Sequence, residues 1–264
     1  MMKIDQVSMT FGIGTPDENC ALDGVSLDVH AGDFVTVIGS NGAGKTTLYN
    51  IIAGTYVPTE GRILIRDKDV TNSPEYRRAR YIGRIFQNPL LGTAGKMSLE
   101  DNMVICHKTG YKSLKISLNN KLRDYFRDRL RELDMGLENR LKDNVELFSG
   151  GQRQALTLLM AVLSEPAILL LDEHTAALDP RNAEIVMKLT QQFAERYKLT
   201  VMMITHNMQQ ALQYGNRLLM MDSGQIVLDV GSEEKSKLTI DGVVQRFRDI
   251  KKKELVNDQL LLRV

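Results

Sequence analysis

The chain has 264 residues, 25% of them charged and 43% apolar, which is enough to bury a full core and ordinary for a soluble globular protein. A net charge of +1 argues against nucleic acid as a partner and against a protein built around an acidic ligand. Cys20 and Cys106 form neither a C-x-x-C pair nor a metal-ligand spacing, so both are expected to be small buried hydrophobes in a reducing compartment. The N-terminal residues Met1 to Asp5 contain no apolar signal core, and no run approaches the roughly 18 apolar residues of a membrane span. Any membrane role is therefore expected to be borrowed from another chain.

In chain order, Lys3 to Thr10 alternates weakly and predicts a strand ended by Phe11. A Gly-, Pro- and Asp-containing loop follows, and Ala21 to Val29 predicts a second strand. Phe34 to Ile38 is a short β-branched apolar run of the buried-strand type. Leu48 to Ala53 reads as the first turns of a helix, Thr59 to Ile65 as a turn and strand, and Tyr81 to Phe86 as a further strand. From Ser98 to about Ser164 the pattern is mainly helical. Leu122, Tyr125, Phe126, Leu130 and Leu133 recur at helical spacing among charges of both signs, which predicts a solvated helix face opposite a buried one.

The second half returns to an alternating α/β pattern. Ala167 to Asp172 is a continuous apolar strand of the fully buried, parallel kind. Arg181 to Tyr197 predicts a helix entered through Pro180, Thr200 to Thr205 a buried strand, and Asn207 to Tyr214 a helix stopped by Gly215. Leu218 to Asp222 and Gln225 to Val230 pair around Ser223 and Gly224, and Thr239 to Asn257 predicts a final charged helix. The expected fold class is α/β. A P-loop core with a mainly parallel sheet spans 1–87 and 165–264, with an antiparallel β part at the N-terminus and a helical subdomain inserted at 88–164.

Three stretches carry chemistry. Gly39-Ser40-Asn41-Gly42-Ala43-Gly44-Lys45-Thr46-Thr47 fits the phosphate-binding pattern G-x-x-x-x-G-K-[ST], between a predicted strand and a predicted helix. Its glycines let backbone N–H groups approach phosphate oxygens, and the helix N-terminus adds its dipole. Lys45 suits the β- and γ-phosphates, and the Thr46 hydroxyl suits Mg²⁺. Asp172 ends a buried strand where a P-loop protein holds Mg²⁺ through water, and Glu173 stands beside it, placed to deprotonate an attacking water. Ser149 caps a helix opened by Gly150, Gly151 and Gln152, a second helix end free for an anion. Two such ends in one chain suggest a site shared between two copies.

Together these motifs resemble the ATP-binding subunit of an ABC transporter over essentially the whole chain. Phe148-Ser149-Gly150-Gly151-Gln152 is similar to the ABC signature, with Phe148 where leucine is usual. Gly39 to Thr47 corresponds to the Walker A loop and Ile168 to Asp172 to the Walker B strand. The resemblance implies that Glu173 is the catalytic glutamate, that Gln87 touches Mg²⁺ and the attacking water, and that His206 contacts the γ-phosphate. It also implies that Phe11 stacks on adenine and that Asp179, in Ala177-Leu178-Asp179, belongs to the loop named for that aspartate. MgATP is then the substrate complex, held by two copies arranged head to tail. The implied partners are a transmembrane permease and, for an importer, an extracytoplasmic solute-binding protein, and the implied location is the cytoplasmic face of the membrane. The string Asp172 to Asp179 and Gln152 to Ala155 resemble importers linked to amino acids, including aromatic ones. Two other readings remain open: a soluble ABC ATPase acting as an assembly factor, for example in iron–sulfur cluster formation, and a small-molecule P-loop kinase, which has no use for Ser149 to Gln152.

Overall fold

The computed structural model describes residues 1–107 and 118–249. In chain order the elements are β1 (Met2–Phe11), β2 (Asn19–Val29), β3 (Phe34–Gly39), α1 (Lys45–Ala53), β4 (Glu60–Ile65), β5 (Lys68–Asp69), α2 (Glu75–Arg78) and β6 (Ile82–Ile85). They continue through α3 (Leu99–His107), α4 (Asn120–Arg131), α5 (Gly150–Leu163), β7 (Ile168–Asp172), α6 (Pro180–Arg196), β8 (Val201–Ile204), α7 (Met208–Gln213), β9 (Arg217–Asp222) and β10 (Gln225–Val230). Residues 240–249 are helical, and the remainder of the expected C-terminal helix lies outside the described residues.

Two sheets form. The N-terminal one is four-stranded and antiparallel, in the order β2-β1-β4-β5. The weak alternation of the first strand has a physical cause: its register against β2 shifts three times between Ile4 and Thr10, so its side chains change face along the strand. The larger sheet has the order β10-β9-β3-β8-β7-β6, parallel except at the β9–β10 hairpin.

Alternation along the central strands assigns its two faces. Val35 and Val37 of β3, Ile168 and Leu170 of β7, and Met202 and Ile204 of β8 pack with α1 and the inner face of the antiparallel sheet. Leu169 and Leu171 of β7 and Val201 and Met203 of β8 face the opposite way, onto α5 and α6. Both faces are covered, which is why these strands read as unbroken apolar runs. On α4, Phe126 and Leu130 are fully buried, while Asp124 pairs with Arg127 at 2.7 Å on the solvent side, as the helical spacing predicts.

The expectation for the cysteines does not hold. Cys20 is exposed and Cys106 half-buried. Cys20 sits near the start of β2, paired with Thr10 close to the end of β1, where the antiparallel sheet runs out and nothing covers it.

One buried cation fastens the P-loop helix. Arg78, at the end of α2, has no solvent exposure and donates to the carbonyls of Ile51 (2.6 Å), Ile52 (2.8 Å), Thr71 (2.7 Å) and Ser73 (2.8 Å). It thereby meets the carbonyl end of α1 with positive charge, where the helix dipole favours it. Arg78→Met keeps the bulk and removes every donor, so it is expected to lower unfolding stability by on the order of 3 kcal/mol. Urea denaturation measures this, and a loss under about 1 kcal/mol would show that the four carbonyls find other partners.

Candidate active site

The functional motifs gather at the carboxyl ends of neighbouring parallel strands, the usual ligand position in an open α/β sheet. Strand β3 delivers the P-loop. Gly39 leaves it with φ of 155°, and a Cβ at this residue would lie 2.2 Å from the Met221 carbonyl oxygen, so only glycine fits. Gly44 closes the loop in a left-handed conformation, with φ of 90°, against the Ala21 carbonyl. Helix α1 starts at Lys45, earlier than its apolar pattern suggests, so the lysine itself belongs to the first turn. Its ammonium donates to the carbonyls of Gly39 (2.9 Å) and Ser40 (2.8 Å), folding back across the loop. Loss of surrounding water pushes the Lys45 pKa down, and the charges of Glu173 and Asp172 oppose that shift.

Strands β7 and β8 bring the remaining chemistry together. Asp172 pairs with Ile204 in register, and the Glu173 N–H donates to the Ile204 carbonyl at 3.1 Å. Each chain then leaves its strand beside the other. His206 Nε2 reaches Glu173 Oε1 at 2.5 Å. Burial pushes the Asp172 carboxyl above the ordinary carboxylate range, against the pull of Arg84. A cavity of about 370 Å³ is lined by Phe11, by Asn41 to Thr47, and by Glu173 and His206. The P-loop, the carboxylate and the histidine therefore share one space.

The other expected site residues lie outside that space. Gln87 is exposed just after β6 and does not line the cavity. Ser149 caps α5 through a full capping box: its hydroxyl accepts from the Gln152 N–H at 3.2 Å, and the Gln152 side chain accepts from the Ser149 N–H at 3.1 Å. The glycines behind it face the start of α6 and the segment leading into it: Gly150 lies against Leu178, and a Cβ on Gly151 would meet the Asn182 side chain at 2.6 Å. Asp179 caps α6, accepting from the Asn182 backbone at 3.1 Å and from its side-chain amide at 2.6 Å, and these bonds hold its pKa below the usual range. Ser149 to Gln152 and Asp179 thus form a second cluster, and none of them lines the P-loop cavity.

Several site features escape sequence reasoning. Asn19, Cys20 and Ala21 of β2 line the P-loop cavity, brought there by the pairing of Phe11 with Asn19. Tyr56 packs edge-on to Phe11, with ring centroids 5.4 Å apart. The Ser40 hydroxyl is engaged by Asp222, which accepts it at 2.9 Å, so this P-loop side chain is tied to the β9–β10 turn while its backbone faces the loop. These partners lie far apart in sequence, and no local pattern announces them.

The donors present fit Mg²⁺. Thr46 offers a hydroxyl and Asp172 a carboxylate, a sparse hard-oxygen set of the kind that leaves room for water and phosphate around the ion. Among the described residues no group of three or more His, Cys, Asp or Glu side chains forms an all-protein cage, and a phosphate-bound Mg²⁺ needs none.

A P-loop at the end of one parallel strand, an acidic pair at the end of a buried strand two places along the same sheet, and a histidine following the strand between them on the Glu173 carboxylate define a nucleoside triphosphate hydrolase of α/β architecture. The model of the family described as ABC transporter matches residues 22–176. A tyrosine transport ATP-binding protein of Clostridioides difficile is 39% identical over 248 residues, covering 94% of this chain and 98% of that protein. The methionine import ATP-binding protein MetN of Clostridium tetani is 31% identical over 264 residues, covering 98% of this chain and 77% of that one. Among solved structures, the ADP conformation of MJ1267, an ATP-binding cassette of an ABC transporter, superposes with a TM-score of 0.74 at 27% identity over 94% of this chain and 98% of its own. A dimeric structure of MJ0796, a bacterial ABC transporter cassette, gives 0.71 at 26% identity over 88% and 99%. The chain belongs to the ABC transporter family, as an ATP-binding and ATP-hydrolysing cassette. Among the described residues no helix is long and apolar enough to cross a membrane.

Proposed function

We propose that this cassette sits on the cytoplasmic face of the cell membrane and drives import of an amino acid, of the aromatic class, through a separate transmembrane permease fed by a solute-binding protein. The observation that carries the catalytic part is the single cavity shared by Lys45, Glu173 and His206. Two relatives, one named for tyrosine transport and one for methionine import, support an amino acid as the solute, and the first of them favours the aromatic class.

In this reading Phe11 stacks on adenine and is held edge-on by Tyr56. The P-loop amides and Lys45 bind the phosphates. Mg²⁺, when bound, neutralises charge on the β- and γ-phosphates, and Thr46, Asp172 and Gln87 would hold it with water. Glu173 accepts the proton of the attacking water, while His206 orients that carboxylate and reaches toward the γ-phosphate. Ser149, Gly150, Gly151, Gln152 and Asp179 act on the nucleotide of a second copy. Their clustering at the starts of α5 and α6, outside the lining of the P-loop cavity, supports that assignment. The core of 1–87 and 165–264 then carries the P-loop chemistry, and the helical region of 88–164 carries the cross-acting signature.

The permease is expected to dock beside Gln87. Leu90 and Leu91 are 50% and 66% exposed, and Leu147 is 65% exposed, which is unusual for side chains of this size and marks an interaction surface. The backbone bonds Glu146 N–H to Gly95 O (2.9 Å) and Val145 N–H to Met97 O (3.2 Å) run the two segments side by side. Because these leucines do not pack into the helical core, Leu90→Glu with Leu91→Glu should leave folding intact. With the permease in proteoliposomes, the pair is expected to abolish uptake of labelled tyrosine while ATPase activity of the free cassette stays at the wild-type level. Uptake at the wild-type rate would remove this surface from the interface. Failure of the wild-type cassette to copurify with any membrane protein would favour the assembly-factor reading.

A further inference from the structure

Glu173 has φ of 47°, an uncommon left-handed backbone for a side chain other than glycine. The bond from its own N–H to Ile204 fixes one side of the turn, and its carbonyl accepts from the Ala176 N–H at 2.9 Å. The other anchor is the next side chain. His174 is 2% exposed, and its Nε2 lies 3.1 Å from Thr190 Oγ1 in the middle of α6.

The direction of that bond follows from proton counting. Thr190 is 1% exposed, and its hydroxyl donates to the Val186 carbonyl at 2.8 Å. A hydroxyl has one proton, so toward His174 its oxygen accepts, and Nε2 of the imidazole carries the hydrogen. His174 thus donates through Nε2 from a buried position in the turn that begins with Glu173. It ties the turn after β7 to the body of α6, the helix that Asp179 caps and Gly151 packs against.

We propose that His174 is a positioning residue for ATP hydrolysis: its Nε2–H bond to Thr190 holds the Glu173 turn in its left-handed form and keeps the carboxylate on His206 and facing the P-loop cavity. The proposal rests on Glu173 as the proton acceptor, and the test separates the two. Four variants are compared, namely His174→Phe, Thr190→Val, their double mutant, and His174→Gln, whose amide can donate from the Nε2 position. Steady-state kcat and KM for MgATP are measured alongside the Kd of a fluorescent ATP analogue and the melting temperature.

His174→Phe and Thr190→Val are each expected to lower kcat by about tenfold, as a misplaced carboxylate would, with nucleotide Kd unchanged. The double mutant should fall no further than either single change, because both remove one bond. His174→Gln should retain kcat within about threefold of wild type. If His174→Phe does not fold, the near-isosteric Thr190→Val carries the same expectation alone. Wild-type kcat in the folded single variants, a product of the two effects in the double, or no rescue by Gln would each overturn the proposal. A contact that only stabilises the fold would lower the melting temperature and leave kcat untouched. In a Glu173→Gln background, His174→Phe should change nothing further; full activity of Glu173→Gln itself would instead defeat the proton-acceptor reading.

Discussion

Glu173→Gln is expected to bind MgATP as tightly as the wild-type chain and to hydrolyse it about 10²- to 10⁴-fold more slowly, the usual contribution of a positioned base. The substitution is close to isosteric. The amide oxygen can still accept from His206, whose Nε2 lies 2.5 Å from Glu173 Oε1, so the pair and the turn behind it should survive. What is lost is the capacity to take a proton from water. The carboxylate lines the cavity that holds the P-loop, so no other described side chain there is an equivalent acceptor: the remaining lining groups are Phe11, Asn19, Cys20, Ala21, the loop itself and His206, which is already engaged. Single-turnover measurement of phosphate release separates chemistry from binding. Turnover within a few-fold of wild type would remove Glu173 from this role.

Lys45→Ala should act on the earlier step. Lys45 is 6% exposed and its ammonium is held over the loop by the Gly39 and Ser40 carbonyls, which would place a fixed positive charge where phosphates enter. A charge-assisted hydrogen bond of this kind contributes about 1.5–3 kcal/mol, so the Kd for ATP is expected to rise by roughly 10- to 150-fold. The stability cost should be small by comparison, because Ser40 is exposed and Gly39 only half-buried, so the two freed carbonyls can take water. Titration with a fluorescent ATP analogue reads the effect directly, and an unchanged Kd would sink the phosphate-cradle assignment.

The parts of the site legible from sequence are those encoded in one short stretch. The P-loop needs only its own glycines, Lys45 and the strand and helix on either side. Asp172 and Glu173 are visible because four apolar residues precede them, and Ser149 because a helix cap is a local pattern. Contacts between distant stretches were not legible. The bond between Glu173 and His206 exists because β7 and β8 are neighbours in register, and nothing in either segment states that pairing. Tyr56 on Phe11 and Asp222 on Ser40 depend on loops folding back from elsewhere. The exposure of Cys20 is hidden from the sequence for a related reason. Cysteine favours burial in general, but this one sits where its sheet ends, in the lining of the P-loop cavity. His206 was expected on the γ-phosphate, and the structure adds a carboxylate as its immediate partner.

The proposed site is divided between two copies, with the P-loop from one and Ser149 from the other. A disulfide crosslink tests this most directly. Ser149→Cys and Asn41→Cys are introduced into a chain without Cys20 and Cys106, with Glu173→Gln to retain ATP. Asn41 is chosen over Ser40 because the Ser40 hydroxyl is committed to Asp222. Oxidation under MgATP is predicted to join two chains into a covalent dimer, and the same treatment under MgADP, which lacks the γ-phosphate to bridge the halves, to leave them separate. A crosslink formed only within one chain, or one indifferent to the γ-phosphate, would contradict the shared site.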